Sequence, residues 1–416
     1  MENLDTSSDI LSLASAAGHV MLENGAEISR VEETMDRIAS HYGEEKDHFF
    51  VLSNGIFAAG KTRSLVEYIP IRAARLDKVD AINQLSRDIV SKDYSMEEAW
   101  KRLEIIRKLP PKPLWEQLLG ASLGSAAFCA LFGGGWADCG ASLLAALAVQ
   151  AFVSFIGGLY FSKMLTNICG GAVGTLLCML LFSLGLGDHL PNMMIGALIP
   201  LIPGVAFTNA MRELANEDYI AGVSRLLDAL MAFLCIAVGV CLSFILHRYI
   251  SGEMMWLGEV AVSGGTASIP VQVLAAFIGT SGFSIVYGVP RKNYLACGVV
   301  GMMGWLTYLL IVRFSPMGPV AGTFFAALLV AVLSRWSAIR YKSPGILFMI
   351  PGIFPLIPGV GVFWSSYYVV SEQLGQSLHA GFLAVKVTMA IVVAIVIVTN
   401  IFHSPARKKG QKKRFV

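Results

Sequence analysis

The chain has 416 residues, of which 55% are hydrophobic and 15% charged, and its mean hydropathy is +0.63. Soluble globular domains carry about a quarter charged residues, so this composition excludes an ordinary soluble protein for most of the length. The net charge of +3 is too small to identify a partner and carries no sign of nucleic-acid binding.

The apolar content is uneven. Residues 1–112 read as a charged globular segment, and residues 113–402 are almost continuously apolar. The start, Met1-Glu2-Asn3-Leu4-Asp5, lacks the basic and apolar regions of a signal peptide. A first helix is expected over 8–23, ended by Asn24-Gly25, and a second over 26–42 with Ile28, Val31, Met35 and Ile38 on one face. Residues 47–53 and 64–72 have strand character, with Asn54-Gly55 as a turn signal. Leu76, Val79, Ile82, Leu85 and Ile89 mark an amphipathic helix, and Ser95 with Glu98 forms a capping box for another. This is a small α+β domain, joined to the rest by Leu109-Pro110-Pro111-Lys112-Pro113.

One stretch of this domain is dense in charge. Gly25, Glu27, Arg30 and Glu33 form either a polar site or a solvated helix face held by local ion pairs such as Glu27 with Arg30. On the residues alone the solvated face is the simpler reading. No Ser/His/Asp or Cys/His pattern supports hydrolysis, and no phosphate-binding loop supports ATP drive. The seven cysteines have no metal-ligand spacing and read as small buried hydrophobes. No metal or cofactor is expected.

From Leu114 onward ten apolar stretches approach the roughly 20 residues that cross a bilayer. They fall near 114–132, 141–160, 164–185, 192–211, 222–246, 268–288, 293–312, 317–334, 345–369 and 378–402. With the N-terminal domain in the cytoplasm, nineteen basic residues fall inside, six of them in the tail at 407–416, against Arg248 and Arg313 outside. That bias fits the positive-inside rule.

Within the apolar region, Pro200-Leu201-Ile202-Pro203-Gly204-Val205 recurs letter for letter as Pro355-Leu356-Ile357-Pro358-Gly359-Val360. Proline lacks an amide hydrogen, so Pro200 and Pro203 release the carbonyls of Gly196 and Ile199, and Pro355 and Pro358 those of Pro351 and Phe354. Irregular backbone at membrane depth survives only inside protein or against a watery cavity. Paired breaks at matching places in two halves point to a transporter's substrate site. Each half has five expected spans with the broken one fourth, so the second half enters from the opposite face. The fold expected is therefore a mainly α membrane protein of ten helices in two inverted five-helix repeats, with boundaries at 1–112, 113–250, 251–406 and 407–416.

Polar groups at depth are few. Asp228 in the fifth span and Lys386 in the tenth are candidates for coupling, against an ion pair of Asp228 with Arg225 and outward snorkelling of Lys386. Asn209, Arg212 and Glu213 follow the first break as a candidate inner gate or a plain helix end, and Ser365, Ser366 and Tyr367 follow the second. Gln150 is a further candidate, whereas the glycines at 120, 124, 170, 171, 174, 298, 301 and 304 read as helix-packing positions. Substrate binding is placed at Pro200, Pro203, Gly204, Asn209, Pro355, Pro358, Gly359 and Ser365.

These residues also resemble a known family. Asn24-Gly25-Ala26-Glu27 with Arg30-Val31-Glu32, then Pro203-Gly204, Thr208 to Glu213, and Asp218-Tyr219 with Gly222 and Arg225, are similar to the bacterial threonine/serine exporter family. The resemblance implies proton-driven export of small hydroxy amino acids from the cytoplasm across the bacterial inner membrane. A related branch, split into two proteins, is linked to succinate export, and the fused form here favours the amino-acid branch. The rivals are an uncoupled channel, an enzyme acting through the N-terminal domain, and a structural membrane protein. The resemblance assigns no substrate ligands.

Overall fold

The computed structural model of the chain describes residues 2–44, 49–60, 64–70, 73–156, 161–252 and 267–401. The basic tail at 407–416 and the ends of the second and tenth expected spans lie outside the described residues.

The N-terminal domain contains α1 (Glu2–Glu23), α2 (Ile28–His41), β1 (Phe49–Leu52), β2 (Gly55–Ala59), β3 (Ser64–Tyr68), α3 (Leu76–Lys92) and α4 (Met96–Arg107). The expected helix faces are buried: Ile28, Val31, Met35 and Ile38 of α2, and Leu76, Val79, Ile82, Leu85 and Ile89 of α3. Ser95 accepts the amide of Glu98 at 3.3 Å and so caps α4. The sheet differs from expectation. It is three-stranded and antiparallel in the order β1-β2-β3, with Leu52 opposite Gly55. The turn is therefore Ser53-Asn54, and Gly55 opens a middle strand that sequence reading missed. That strand, Gly-Ile-Phe-Ala-Ala, is short and rich in small residues, so its alternation is weak.

The apolar region comprises α5 (Leu114–Leu131), α6 (Trp136–Ile156), α7 (Lys163–Ser183), α8 (Leu190–Leu198), α9 (Gly204–Ala215) and α10 (Tyr219–Ser251). The second series is α11 (Ile269–Val286), α12 (Tyr294–Phe314), α13 (Gly318–Tyr341), α14 (Ile346–Ile353), α15 (Gly359–Val370) and α16 (Leu374–Ile401). Among the described residues, seven helices are long and apolar enough to cross a bilayer, or nine if α8–α9 and α14–α15 each count as one bent span. α5 stands at the first expected span but carries Glu116 and Gln117 near its start and is not among the nine.

The two series share one register. α5 and α11, α7 and α13, α9 and α15, and α10 and α16 each start 155 residues apart. Unusual backbone repeats with them: Gly133 and Gly288 have φ of 96° and 72°, and Glu217 and Glu372 have 68° and 60°. A non-glycine residue in the left-handed region is uncommon, so its recurrence on a second glutamate marks the same local backbone path in both series.

The series meet along α5 and α11. A Cβ on Gly120 or on Gly282 would lie 2.7 Å from the other's carbonyl oxygen. One turn on, a Cβ on Gly124 would lie 2.7 Å from the Phe283 ring, and one on Gly279 would lie 2.8 Å from the Phe128 ring. Gly124 and Phe128 correspond in register to Gly279 and Phe283, so each half supplies the same glycine and ring to the other. As α5 runs from Gly120 to Phe128, its contacts on α11 run back from Ile285 to Gly279, which makes the pair antiparallel.

Gly282→Ala should therefore overpack this crossing, because the obstructing atoms are backbone. At about 1–3 kcal/mol for an overpacked site, the thermal midpoint of purified protein should fall by a few degrees. Gly140→Ala, where a Cβ meets nothing within 4 Å, should leave it unchanged or raise it.

Candidate functional site

The two breaks have the same local build. Ile199–Leu201 and Phe354–Leu356 each tighten into a 3-10 turn. Ile202 and Ile357 are then extended, with φ/ψ of −63°/127° and −64°/132°. Pro203 and Pro358 follow at −77°/57° and −76°/42°, and a new helix starts at the glycine. The helix axis bends by 66° at the first break and 42° at the second.

The carbonyls expected to be free are not. Ile202 donates to Ile199 at 3.0 Å and Ile357 to Phe354 at 3.3 Å, while the amides of Ile199 and Phe354 donate to Gly196 and Pro351. A buried carbonyl without a donor is costly, and the tight turn supplies one from three residues on. The open groups are instead amides at the start of the next helices. Val205 and Ala206, and Val360 and Gly361, have no hydrogen-bond acceptor among the described residues. Such ends carry partial positive charge.

The breaks touch each other. A Cβ on Gly204 would lie 2.7 Å from the Phe354 ring and 2.9 Å from the Tyr287 hydroxyl, and one on Gly359 would lie 2.7 Å from Ile202 Cδ1. Between them is a cavity of about 50 Å³, lined by Ile199 and Ile202 from one break and Phe354, Ile357, Gly359 and Val360 from the other. Phe128, Phe132, Phe233 and Phe363 add rings, and Ser366 brings a hydroxyl-bearing side chain to the lining. The four prolines shape the bends but do not line the space. The residues at matching register in the other half, Ile350, Ile353, Phe283, Ile391 and Ile395, are all fully buried in one apolar cluster with Met211.

Asn209, Arg212 and Glu213 lie away from this cavity, against the N-terminal domain. The chain leaves α1 through Gly25 (φ +87°), whose amide donates to Leu22 while Ala26 donates to Met21, closing α1 with a left-handed glycine. This turn aims residues 25–28 at α9 and α10. Asn209 Nδ2 donates to the Gly25 carbonyl at 2.8 Å, and Arg225 Nη2 donates to the Ala26 carbonyl at 3.1 Å. Arg212 Nη1 lies 2.9 Å from Glu27 Oε2, and Arg225 Nε lies 3.2 Å from Glu213 Oε1. The Ile28 amide donates to Glu213 Oε1 at 3.4 Å. Glu27, Glu213 and Arg225 are 4%, 0% and 3% exposed, so these charges sit in the protein interior.

Further contacts hold the domain to the same end of the bundle. Leu76 donates its amide to the Tyr287 carbonyl at 3.2 Å, and Lys292 lies 3.5 Å from Asp80. Burial pushes the Asp80 carboxyl above its ordinary range, and Lys292 opposes that shift. In the linker, Lys112 bonds to the Tyr294 hydroxyl, and burial lowers its ammonium to about 8.

The charged stretch of α2 thus divides. Glu33 is the solvated residue of the simpler reading, paired with Arg30 at 2.9 Å and Arg37 at 2.6 Å. Glu27 keeps a looser contact with Arg30 at 3.8 Å and is otherwise an interface group. Arg225, not singled out as a site residue from sequence, is central. Its signal was the buried stripe Ala221, Gly222, Arg225, Ala229 and Phe233 along α10.

Other candidates do not gather here. Asp228 is off that stripe and exposed on the outer face of α10, and Arg225 turns inward to Glu213 instead of pairing with it. Lys386 is likewise exposed on α16. Ser365 donates to the Ser377 carbonyl at 3.0 Å, tying α15 to α16 instead of facing the cavity. Gln150 is buried on α6, with Ser154 at 3.5 Å.

Glu27→Gln should leave the Arg212 guanidinium buried without its counter-charge, a loss of about 3–5 kcal/mol for a broken buried pair. Limited tryptic digestion should then cut faster after Lys108, at the edge of the linker. Glu27→Met with Arg212→Met removes both charges and should recover most of the protection.

A family model described as "Putative threonine/serine exporter" matches residues 12–247, and one described as "Threonine/Serine exporter, ThrE" matches residues 272–401. The chain is 23% identical over 382 residues to a threonine/serine exporter of Corynebacterium glutamicum, covering 88% of this chain and 76% of that one. It is 24% identical over 237 residues to a Klebsiella aerogenes protein named "Probable succinate transporter subunit YjjP", covering 54% of this chain and 88% of that one. No solved structure matches. The first match takes in most of the N-terminal domain and nearly all of the first helix series, the second takes in most of the other series, and the chain belongs to the threonine/serine exporter family.

Proposed function

We propose that this chain exports small hydroxy amino acids, threonine or serine, by proton-driven alternating access around the paired breaks. The observation that carries the reading is that both breaks line one cavity while their helices belong to two series of shared register. α5 completes ten spans, five per series. The antiparallel crossing of α5 with α11 supports an inverted arrangement of the halves. The N-terminal domain docks at the end that carries Arg212, Arg225, Arg291 and Lys292, which fits a cytoplasmic location by the charge rule.

A zwitterion suits this site. Its carboxylate meets the open amides at the start of α15, its hydroxyl meets Ser366, and the apolar walls accept a methyl group. A dicarboxylate calls for cationic clamps, and no arginine or lysine lines the cavity. For the coupled proton we assign Glu213, buried at the inner mouth, in preference to Asp228 on the outer face of α10.

Counterflow in proteoliposomes with a panel of amino and dicarboxylic acids tests the substrate. Threonine and serine should compete, and inhibition by succinate with none by either amino acid overturns the choice. Under an imposed pH gradient, Glu213→Gln should lose concentrative transport. Asp228→Asn should keep it, and the opposite pattern moves the proton to Asp228.

A further inference from the structure

We infer that the N-terminal domain is the inner gate of the transporter, with residues 25–28 as its plug. The inference rests on the reading that the paired breaks form the substrate path. It starts from a difference between the halves at matching register. Where α15 carries Trp364, Tyr367 and Tyr368, α9 carries Asn209, Arg212 and Glu213.

The α15 end seals itself. Trp364 and Tyr367 are buried, their ring centroids lie 5.7 Å apart, and Tyr367 lies 5.3 Å from Phe244 of α10. Ring packing of this kind needs nothing from outside the bundle. The α9 end has charges in the same places, and charges cannot close a path by apolar packing. Glu213 and Arg225 pair within the bundle, and the remaining partners come from the N-terminal domain: the Gly25 and Ala26 carbonyls, the Glu27 carboxylate and the Ile28 amide. On this side, then, the domain supplies the closure that the rings supply at the α15 end.

The latch is built from the two kinds of charge that a zwitterionic amino acid carries. An incoming ammonium can replace arginine at Glu27 or Glu213, and a carboxylate can replace glutamate at Arg212 or Arg225. Bonding in the latch is incomplete, since Asn209 Oδ1 and Glu213 Oε2 are buried without a hydrogen-bond partner. An incompletely bonded polar cluster is cheaper to open than a fully bonded one. The gate is thus selective for the same substrate class as the cavity.

Ser53 and Ser224 provide the test, because their hydroxyls lie 3.3 Å apart across the domain interface. Ser53→Cys with Ser224→Cys should form a disulfide on mild oxidation that holds the domain down, with each single variant as control. Threonine counterflow should fall at least tenfold on oxidation and return on reduction. Wild-type counterflow in fully cross-linked protein overturns the gate. A second readout does not depend on the substrate. Ile202→Cys, added to wild type and to the Ser53→Cys, Ser224→Cys pair, should react with a charged maleimide supplied on the face bearing the N-terminal domain, and the cross-link should slow labelling of position 202 itself, read by peptide mass spectrometry. Equal labelling with and without the cross-link overturns the gate, whereas absent threonine and serine counterflow in the unmodified protein overturns only the proposed substrate.

Discussion

An amide that has no hydrogen is the constraint on which the membrane part depends. Pro203 and Pro358 cannot continue the helix before them, and the carbonyls they leave are recaptured by a tight turn. That turn ends one helix and starts another at a new angle, which puts a glycine, Gly204 or Gly359, at the corner. With no side chain there, the corner of one break lies against Phe354 or Ile202 of the other. The cavity is what remains between two corners of this kind. Its walls are apolar because they are helix flanks, and its polar character comes mainly from helix ends.

The second constraint is that buried charge must be neutralised locally. Arg212, Glu213 and Arg225 stand on the bundle but are completed by Glu27 and by backbone of residues 25–28. A buried ion pair is weak evidence for stability, because desolvation consumes most of the attraction. It is better evidence for placement, since a displaced domain would leave Arg212 without its counter-charge and take backbone partners from Asn209, Glu213 and Arg225. The network therefore specifies where the domain sits more than how firmly the chain folds.

The halves keep a common backbone and differ in chemistry. Left-handed backbone recurs at Glu217 and Glu372, and the glycine–phenylalanine contact of α5 with α11 is reciprocal. Yet one inner helix end is ionic and the matching outer end is aromatic. The backbone path is thus kept while the chemistry at the matching helix ends is exchanged.

Much of this was legible in the sequence. The doubled proline–glycine motif located both breaks, apolar periodicity located the helices, and the register of 155 residues held at the starts of four helix pairs. Extending that register beyond the motif also pairs Gly124 with Gly279 and Phe128 with Phe283, although that these positions meet each other across the halves was not legible. What only the tertiary structure decided was which polar groups face inward. Glu27 and Glu33 look alike in sequence, but one is buried against Arg212 and the other is solvated. Asp228 and Arg225 are three residues apart, yet one faces out and the other reaches the Ala26 carbonyl. Sequence pattern reports local spacing, because helix geometry is local. The partner of Glu213, at the amide of Ile28, is 185 residues away, and only the packing of two separately folded parts brings them together.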